Sequence, residues 1–229
     1  MARKSYQELL ETLREDVLYM SEVVLDRLRQ ALSALERKDE AVARDVIEGD
    51  HEVNELYLKL ENDCVDLLAL QQPVASDLRF ITASFKIITD LERVGDLATN
   101  LGEYTEQAQQ DVFPDVDVQA IGEAVAEMVE DAMAAYADGD VDAAYALAER
   151  DEEVDAMCEA ASETVVRDLL TQEVDGDSGG AGGAAVEATM REVSRLLLTV
   201  RDLERVGDHA VNVAARTVYM VDNDDDLIY

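Results

Sequence analysis

The chain has 229 residues, 48% of them apolar and only 5% aromatic, with no Trp and two Pro. Its 53 acids outnumber 19 bases, giving a formal charge of −34. That length allows one large domain or two small ones with a real core; abundant Ala, Leu, Val and Glu favour helix over strand; and the charge argues against nucleic acid or anionic lipid as a partner.

Apolar spacing is regular from end to end, which excludes the disordered chain that such acidity would otherwise suggest. The charge fits adaptation to a high-salt cytosol, as in a halophilic archaeon, where screening removes most of the self-repulsion. Cys64 and Cys158 are far apart and form no CxxC pair, so neither a disulfide framework nor a thiolate metal site is indicated, and a reduced intracellular compartment fits. The opening MARKSYQELLETLRED has no apolar h-region. No apolar stretch approaches the ~18 residues that span a bilayer. The expectation is a soluble, cytoplasmic protein without membrane insertion.

In chain order, Leu9, Leu13, Val17, Met20, Val24, Leu28, Ala31 and Leu35 step by threes and fours, which predicts one long amphipathic helix. A break at Lys38–Asp39 precedes a second helix through Val42, Val46, Val53, Leu56, Leu60 and Leu67. The QQPV segment (71–74) interrupts it. Ser76 and Asp77 can begin a third helix, predicted to run to about Gln110 before a stop at Phe113–Pro114. Ile121, Val125, Met128, Ala132 and Tyr136 restart the pattern, and Gly139–Asp140 breaks it. A fifth helix is predicted over 141–171, a loop with five Gly over 173–183, a sixth helix over 184–221, and a solvated acidic tail beyond.

The string DLERVGD occurs twice, at Asp90–Asp96 and Asp202–Asp208, and DHEVN (50–54) lies over DEEVD (151–155). The chain therefore reads as all-α: two tandem antiparallel three-helix bundles, 1–113 and 114–229, related by an internal pseudo-twofold duplication. The offset between copies is 101 on the second helices and 112 at the string, a difference the Gly-rich loop largely absorbs.

On a helical projection Leu91, Val94, Ala98 and Leu101 point inward, while Glu92, Asp96 and Asn100 stack on nearly the opposite side. The second copy repeats this with Leu203, Val206, Ala210 and Val213 against Glu204, Asp208 and Asn212. One ExxxD pair is weak evidence, since 53 acids produce about a dozen such pairs by chance. A retained string between freely differing neighbours (ITASFKIIT against VSRLLLTVR) says more. Like charges at i, i+4 cost a helix ~0.2–0.5 kcal/mol, and a mid-helix Gly about 1 more. Two readings stay open. The acids hold a hard cation, with Asn100 or Asn212 adding a carbonyl; or Arg93 and Arg205 tie up the acids and the glycines serve packing alone.

ITDLERVGDLATN, VRDLERVGDHAVN, QQPVASDLR and EGDHEVN together resemble the PhoU family of phosphate-uptake regulators, over the whole chain and with both repeats in order. The resemblance implies paired three-helix bundles with iron, zinc or another divalent or trivalent metal on their surfaces in some members. It also implies a non-enzymatic role in negative control of phosphate uptake, through a phosphate ABC transporter and, in bacteria, a membrane sensor histidine kinase; a homodimer is among the assemblies it allows. Carried onto this sequence, the motif acids are Glu92, Asp96, Glu204 and Asp208. Asp90 and Asp202 are candidates to join them, with Asp50, Asn54, Asp151 and Asp155 on the neighbouring helices. The second half departs from the pattern before its motif: Thr189 stands where the first half has Asp77, so its site is expected to bind metal more weakly or differently. A ferritin-like di-metal enzyme is disfavoured, because it needs Glu-x-x-His pairs facing inward and His51 and His209 do not supply them. A metal-free helical adaptor is the remaining alternative.

Overall fold

A computed structural model describes residues 2–70, 73–107, 116–175 and 183–228. Seven helical segments are present among them: α1 (Ala2–Arg37), α2 (Glu40–Glu48), α3 (Asp50–Leu70), α4 (Ala75–Glu106), α5 (Val118–Asp138), α6 (Val141–Asp175) and α7 (Gly183–Asp222). No strand occurs among the described residues. α1, the α2–α3 pair and α4 make one three-helix bundle; α5, α6 and α7 make the other. The stop at Phe113–Pro114, the boundary between 113 and 114, Gln71–Gln72 and most of the Gly-rich loop lie outside the described residues. Glu173–Asp175, expected in that loop, instead extend α6.

Several predicted boundaries have visible causes. Lys38 takes a left-handed backbone (φ 54°), and Asp39 caps α2 by accepting from the backbone N–H of Ala41 and Val42. Asp140 does the same for α6 through Ala143. At α4, Val74 occupies the cap position without a side-chain bond, and Asp77 sits in the first turn, where its charge favours the positive end of the helix. One break was not expected. The second helix of the first half divides at Gly49, over which the Arg27 guanidinium packs; a Cβ there would lie 1.8 Å from Arg27 Nη1. The corresponding helix of the second half, with Arg150 at that register, runs unbroken.

The apolar faces read from periodicity are buried almost throughout. Leu13, Val17, Met20, Val24, Leu28, Leu91, Val94, Ala98, Leu101, Leu203, Val206, Ala210 and Val213 are all in the core, which runs continuously through both bundles. Leu9, at 46%, is exposed, and Leu35, Val42 and Leu56 are half-buried. The bundles meet along α4 and α7, with α1 also against α5. Buried Tyr136 Oη on α5 lies 2.8 Å from Ser84 Oγ on α4, and Arg14 donates from α1 to the Ala137 carbonyl at 2.9 Å. Two core-forming helices side by side set the two repeated strings into one seam.

Candidate functional site

α4 and α7 run antiparallel in that seam. Asp90 lies opposite Asn212 and Asn100 opposite Asp202, so the midpoint of the pairing falls at Gly95 and Gly207, inside the repeated strings. The two glycines serve the other axis of packing. A Cβ on Gly95 would stand 3.1 Å from Val53 Cγ1 of α3; one on Gly207 would stand 3.2 Å from Asp151 Oδ1 and 3.7 Å from Val154 Cγ1 of α6. Each string therefore lets the second helix of its own bundle approach, and that approach delivers Asp50 or Asp151 to the motif acids.

In the first half, Glu92 and Asp96 are half-buried on α4, beside Asp50 at the start of α3. Asp50 is well satisfied: Asn54 Nδ2 donates to it at 2.7 Å and Thr99 Oγ1 at 3.3 Å. Arg93 lies 3.6 Å from both Glu92 and Asp96. Burial pushes the Glu92 carboxyl up, and Asp96 and Asp50 add to it, while Arg93 opposes. Asp96 is likewise raised, by burial and then by Asp50, against Arg93 and Arg205.

In the second half the same registers are filled differently. Asp155 replaces Asn54 and Val211 replaces Thr99, so both donors to the central carboxylate are gone. Four acids, Asp151, Asp155, Glu204 and Asp208, now converge. Asp151 Oδ1 is buried and has no hydrogen-bond partner. Burial first, then Asp155, Asp208 and Glu204, push the Asp151 carboxyl up to about 6. Glu204 is raised by burial and by Asp155 and Asp208. Asp208 is raised by burial and Asp155, with His209 and Arg205 opposing. The ion pair of Arg205 is with Asp202, at 4.0 Å, rather than with the motif acids.

Asp90 and Asp202, expected beside the motif acids, are turned away from them into the seam. Asp202 is fully buried, accepting from Asn100 Nδ2 at 3.1 Å, Tyr104 Oη at 2.8 Å and Arg201 Nη2 at 2.7 Å. Asp90 lies 2.9 Å from His209 Nδ1 and accepts from Asn212 Nδ2 at 3.1 Å. Asn100 and Asn212 thus spend their amides on carboxylates of the opposite half, not on the acid face. Asp77 lies elsewhere again, in an end cavity with Arg14, Phe80 and Gly139. It is fifteen residues from Glu92, about 22 Å along the helix, so its replacement by Thr189 has no bearing on the second acid cluster. Sequence reasoning missed Tyr104, Thr99 and the seam role of His209. The Asn at the same register in both copies was the available signal. His51 is exposed, with Nδ1 2.7 Å from the Glu48 carbonyl oxygen.

Cys64 and Cys158 are free and buried, and burial pushes both thiols up to about 12, which keeps them protonated and unsuited to metal. Among the described residues, Asp224, Asp225 and Asp226 form the one set of three potential ligands within 4.8 Å, on the exposed tail. The motif carboxylates stand further apart than that. No helix among the described residues is long and apolar enough to cross a membrane.

Fold and site together define a duplicated helical-bundle protein whose repeated acidic string lines a seam and two carboxylate clusters. The sequence profile of the PhoU domain matches residues 17–105 and 118–217, and the chain belongs to that family. It is 30% identical over 224 residues to a phosphate-specific transport system accessory protein PhoU homolog of Clostridium acetobutylicum, covering 96% of each chain. It is 32% identical over 221 residues to the phosphate-specific transport system accessory protein PhoU of Escherichia coli K12, covering 94% of this chain and 85% of that one. The crystal structure of PhoU from Pseudomonas aeruginosa superposes with a TM-score of 0.84 at 30% identity, over 96% of this chain and all of the other. That of the phosphate transport system regulatory protein PhoU from Streptococcus pneumoniae gives 0.82 at 26% identity, over 96% and 98%. The curated relatives are named as accessory proteins of phosphate-specific transport systems.

Proposed function

We propose that the chain is a cytoplasmic regulator that restrains a phosphate ABC transporter by direct protein contact, with metal ions held by its surface carboxylate clusters. The observation that carries the cation reading is Asp151 Oδ1, buried without a donor among three further acids. Such an atom is costly to leave unpaired, and a bound cation supplies the missing partner. Asp151, Asp155, Glu204 and Asp208 would hold the ion in the second half, and Glu92, Asp96 and Asp50 in the first. An all-oxygen donor set suits a hard divalent or trivalent ion; iron, zinc and manganese are the ions to assay. Bound there, the ion supplies positive charge that offsets repulsion among the acids.

The acidic face then meets basic cytoplasmic loops of the transporter or its nucleotide-binding subunit, and a sensor histidine kinase where one is present. Co-purification from native extract tests this. Glu204→Ala with Asp208→Ala is expected to lose the transporter subunits, and undiminished recovery would remove this face from the contact. A metal-free adaptor has support in the first half only, where Arg93 already spans Glu92 and Asp96.

A further inference from the structure

The seam carries two polar clasps outside the acid clusters. Asn100 donates from α4 to Asp202 on α7, and Asn212 donates from α7 to Asp90 on α4. Each asparagine is four residues past a motif aspartate, and each aspartate is two residues before a motif glutamate. The stripe Glu92–Asp96–Asn100 therefore ends in the amide that grips the helix of Glu204 and Asp208, and the stripe Glu204–Asp208–Asn212 grips the helix of Glu92 and Asp96. Side chains at i, i+4 on one helix are neighbours, about 5–6 Å apart at Cβ.

We propose that Asp90 and Asp202 are positioning residues, not ligands, and that their reciprocal clasps couple the two acid clusters into one unit. A cation drawing Asp151, Glu204 and Asp208 together shifts α7 against α6, and the clasps pass that shift to α4. Tyr104 and Arg201 complete the hold on buried Asp202, so the clasp is stiff and costly to open. His209 and Arg205 extend the link. They sit on Asp90 and Asp202, at 2.9 and 4.0 Å, and the positive charge of Arg205 acts on Asp96 as well as Asp208.

This inference rests on the cation reading, and the experiment separates the two. Calorimetric titration of the full chain with Mn²⁺ is run on four proteins: wild type, Glu92→Gln/Asp96→Asn, Asn100→Ala/Asn212→Ala, and the two pairs combined. With the clasps intact, neutralising the first cluster is expected to change the second-cluster Kd about fivefold, the low end of ordinary coupling between sites. Without the clasps the change falls below about twofold. An equal change in both backgrounds overturns the proposal. Should the asparagine pair fail to fold, Tyr104→Phe, which removes a single bond to Asp202, replaces it with a partial loss of coupling expected. A wild type that binds no Mn²⁺ sinks the cation reading. The clasps are then judged by calorimetric unfolding, where Asn100→Ala/Asn212→Ala is expected to lower Tm and separate the melting of the two bundles. An unchanged single transition contradicts them.

Discussion

The two acid clusters descend from one string, yet the first is closed and the second is open. Asp50 has two donors and Arg93 bridges the neighbouring acids; Asp151 has an orphaned oxygen, and its two would-be donors have become Asp155 and Val211. Identical heptads thus do not make identical sites. What differs is contributed by residues three or four positions on, Thr99 against Val211 beyond the strings and Asn54 against Asp155 on the second helices, and they turn a self-satisfied cluster into one that needs a counter-ion.

The strongest way to break this contrast is to rebuild the second cluster as the first. Asp155→Asn with Val211→Thr restores both donors to Asp151 and removes one charge, and should weaken cation binding there at least tenfold, about 1.4 kcal/mol. Titration calorimetry with Mn²⁺ reads this directly; unchanged affinity would mean that the orphaned oxygen is not what the ion recognises.

The glycines give a second test, because they face different neighbours. Gly95→Ala presses on Val53, which is buried and β-branched. The ~1 kcal/mol gained in helix propensity is offset there by overpacking of about 1–3, for a net loss. Gly207→Ala presses on Asp151 Oδ1, the buried end of a half-buried side chain that can turn aside, so most of that propensity gain, roughly 0.5–1 kcal/mol, is retained. The same turn disturbs the cluster. Gly207→Ala is therefore expected to raise Tm and weaken cation binding, whereas Gly95→Ala lowers Tm. Equal shifts in Tm would contradict the packing described.

Much of this was legible beforehand. The period of 3.6 gave the inward faces, and Asp39 with Asp140 marked helix starts that the structure keeps. The acid faces followed from projection alone. The seam did not, because its partners are 98 to 122 residues apart and no local pattern encodes register between two helices. Asp90 and Asp202 looked like extra ligands for that reason: projection fixes a side chain's direction, not what stands there to meet it. The Gly49 break was equally hidden, since it depends on Arg27 arriving from another helix.

The pH dependence of stability distinguishes the clusters more gently. Asp151 is raised from an unfolded value near 4 to about 6. A raised carboxyl favours the folded state below the unfolded value, and that contribution is lost as pH rises through about 6. Solvent screening at this half-open position reduces the effect to roughly 0.5 kcal/mol. Asp151→Asn should therefore flatten the fall in Tm between pH 4 and pH 7 in chelated buffer, and an unaltered slope would count against the shift. Arg93→Gln is expected to matter least for stability, within about 0.5 kcal/mol for an exposed pair, while opening the first cluster to a cation. For the whole chain, with its charge of −34, Tm should climb between dilute buffer and molar KCl; a flat response would remove the high-salt explanation of the acidity.

Elemental analysis of protein purified without chelator tests the central claim most directly, on wild type, Glu92→Ala/Asp96→Ala and Glu204→Ala/Asp208→Ala. The asymmetry predicts bound iron, zinc or manganese in wild type, a minor loss from the first pair and loss of most of the metal from the second. Metal-free wild type, or a loss confined to the first pair, would contradict it.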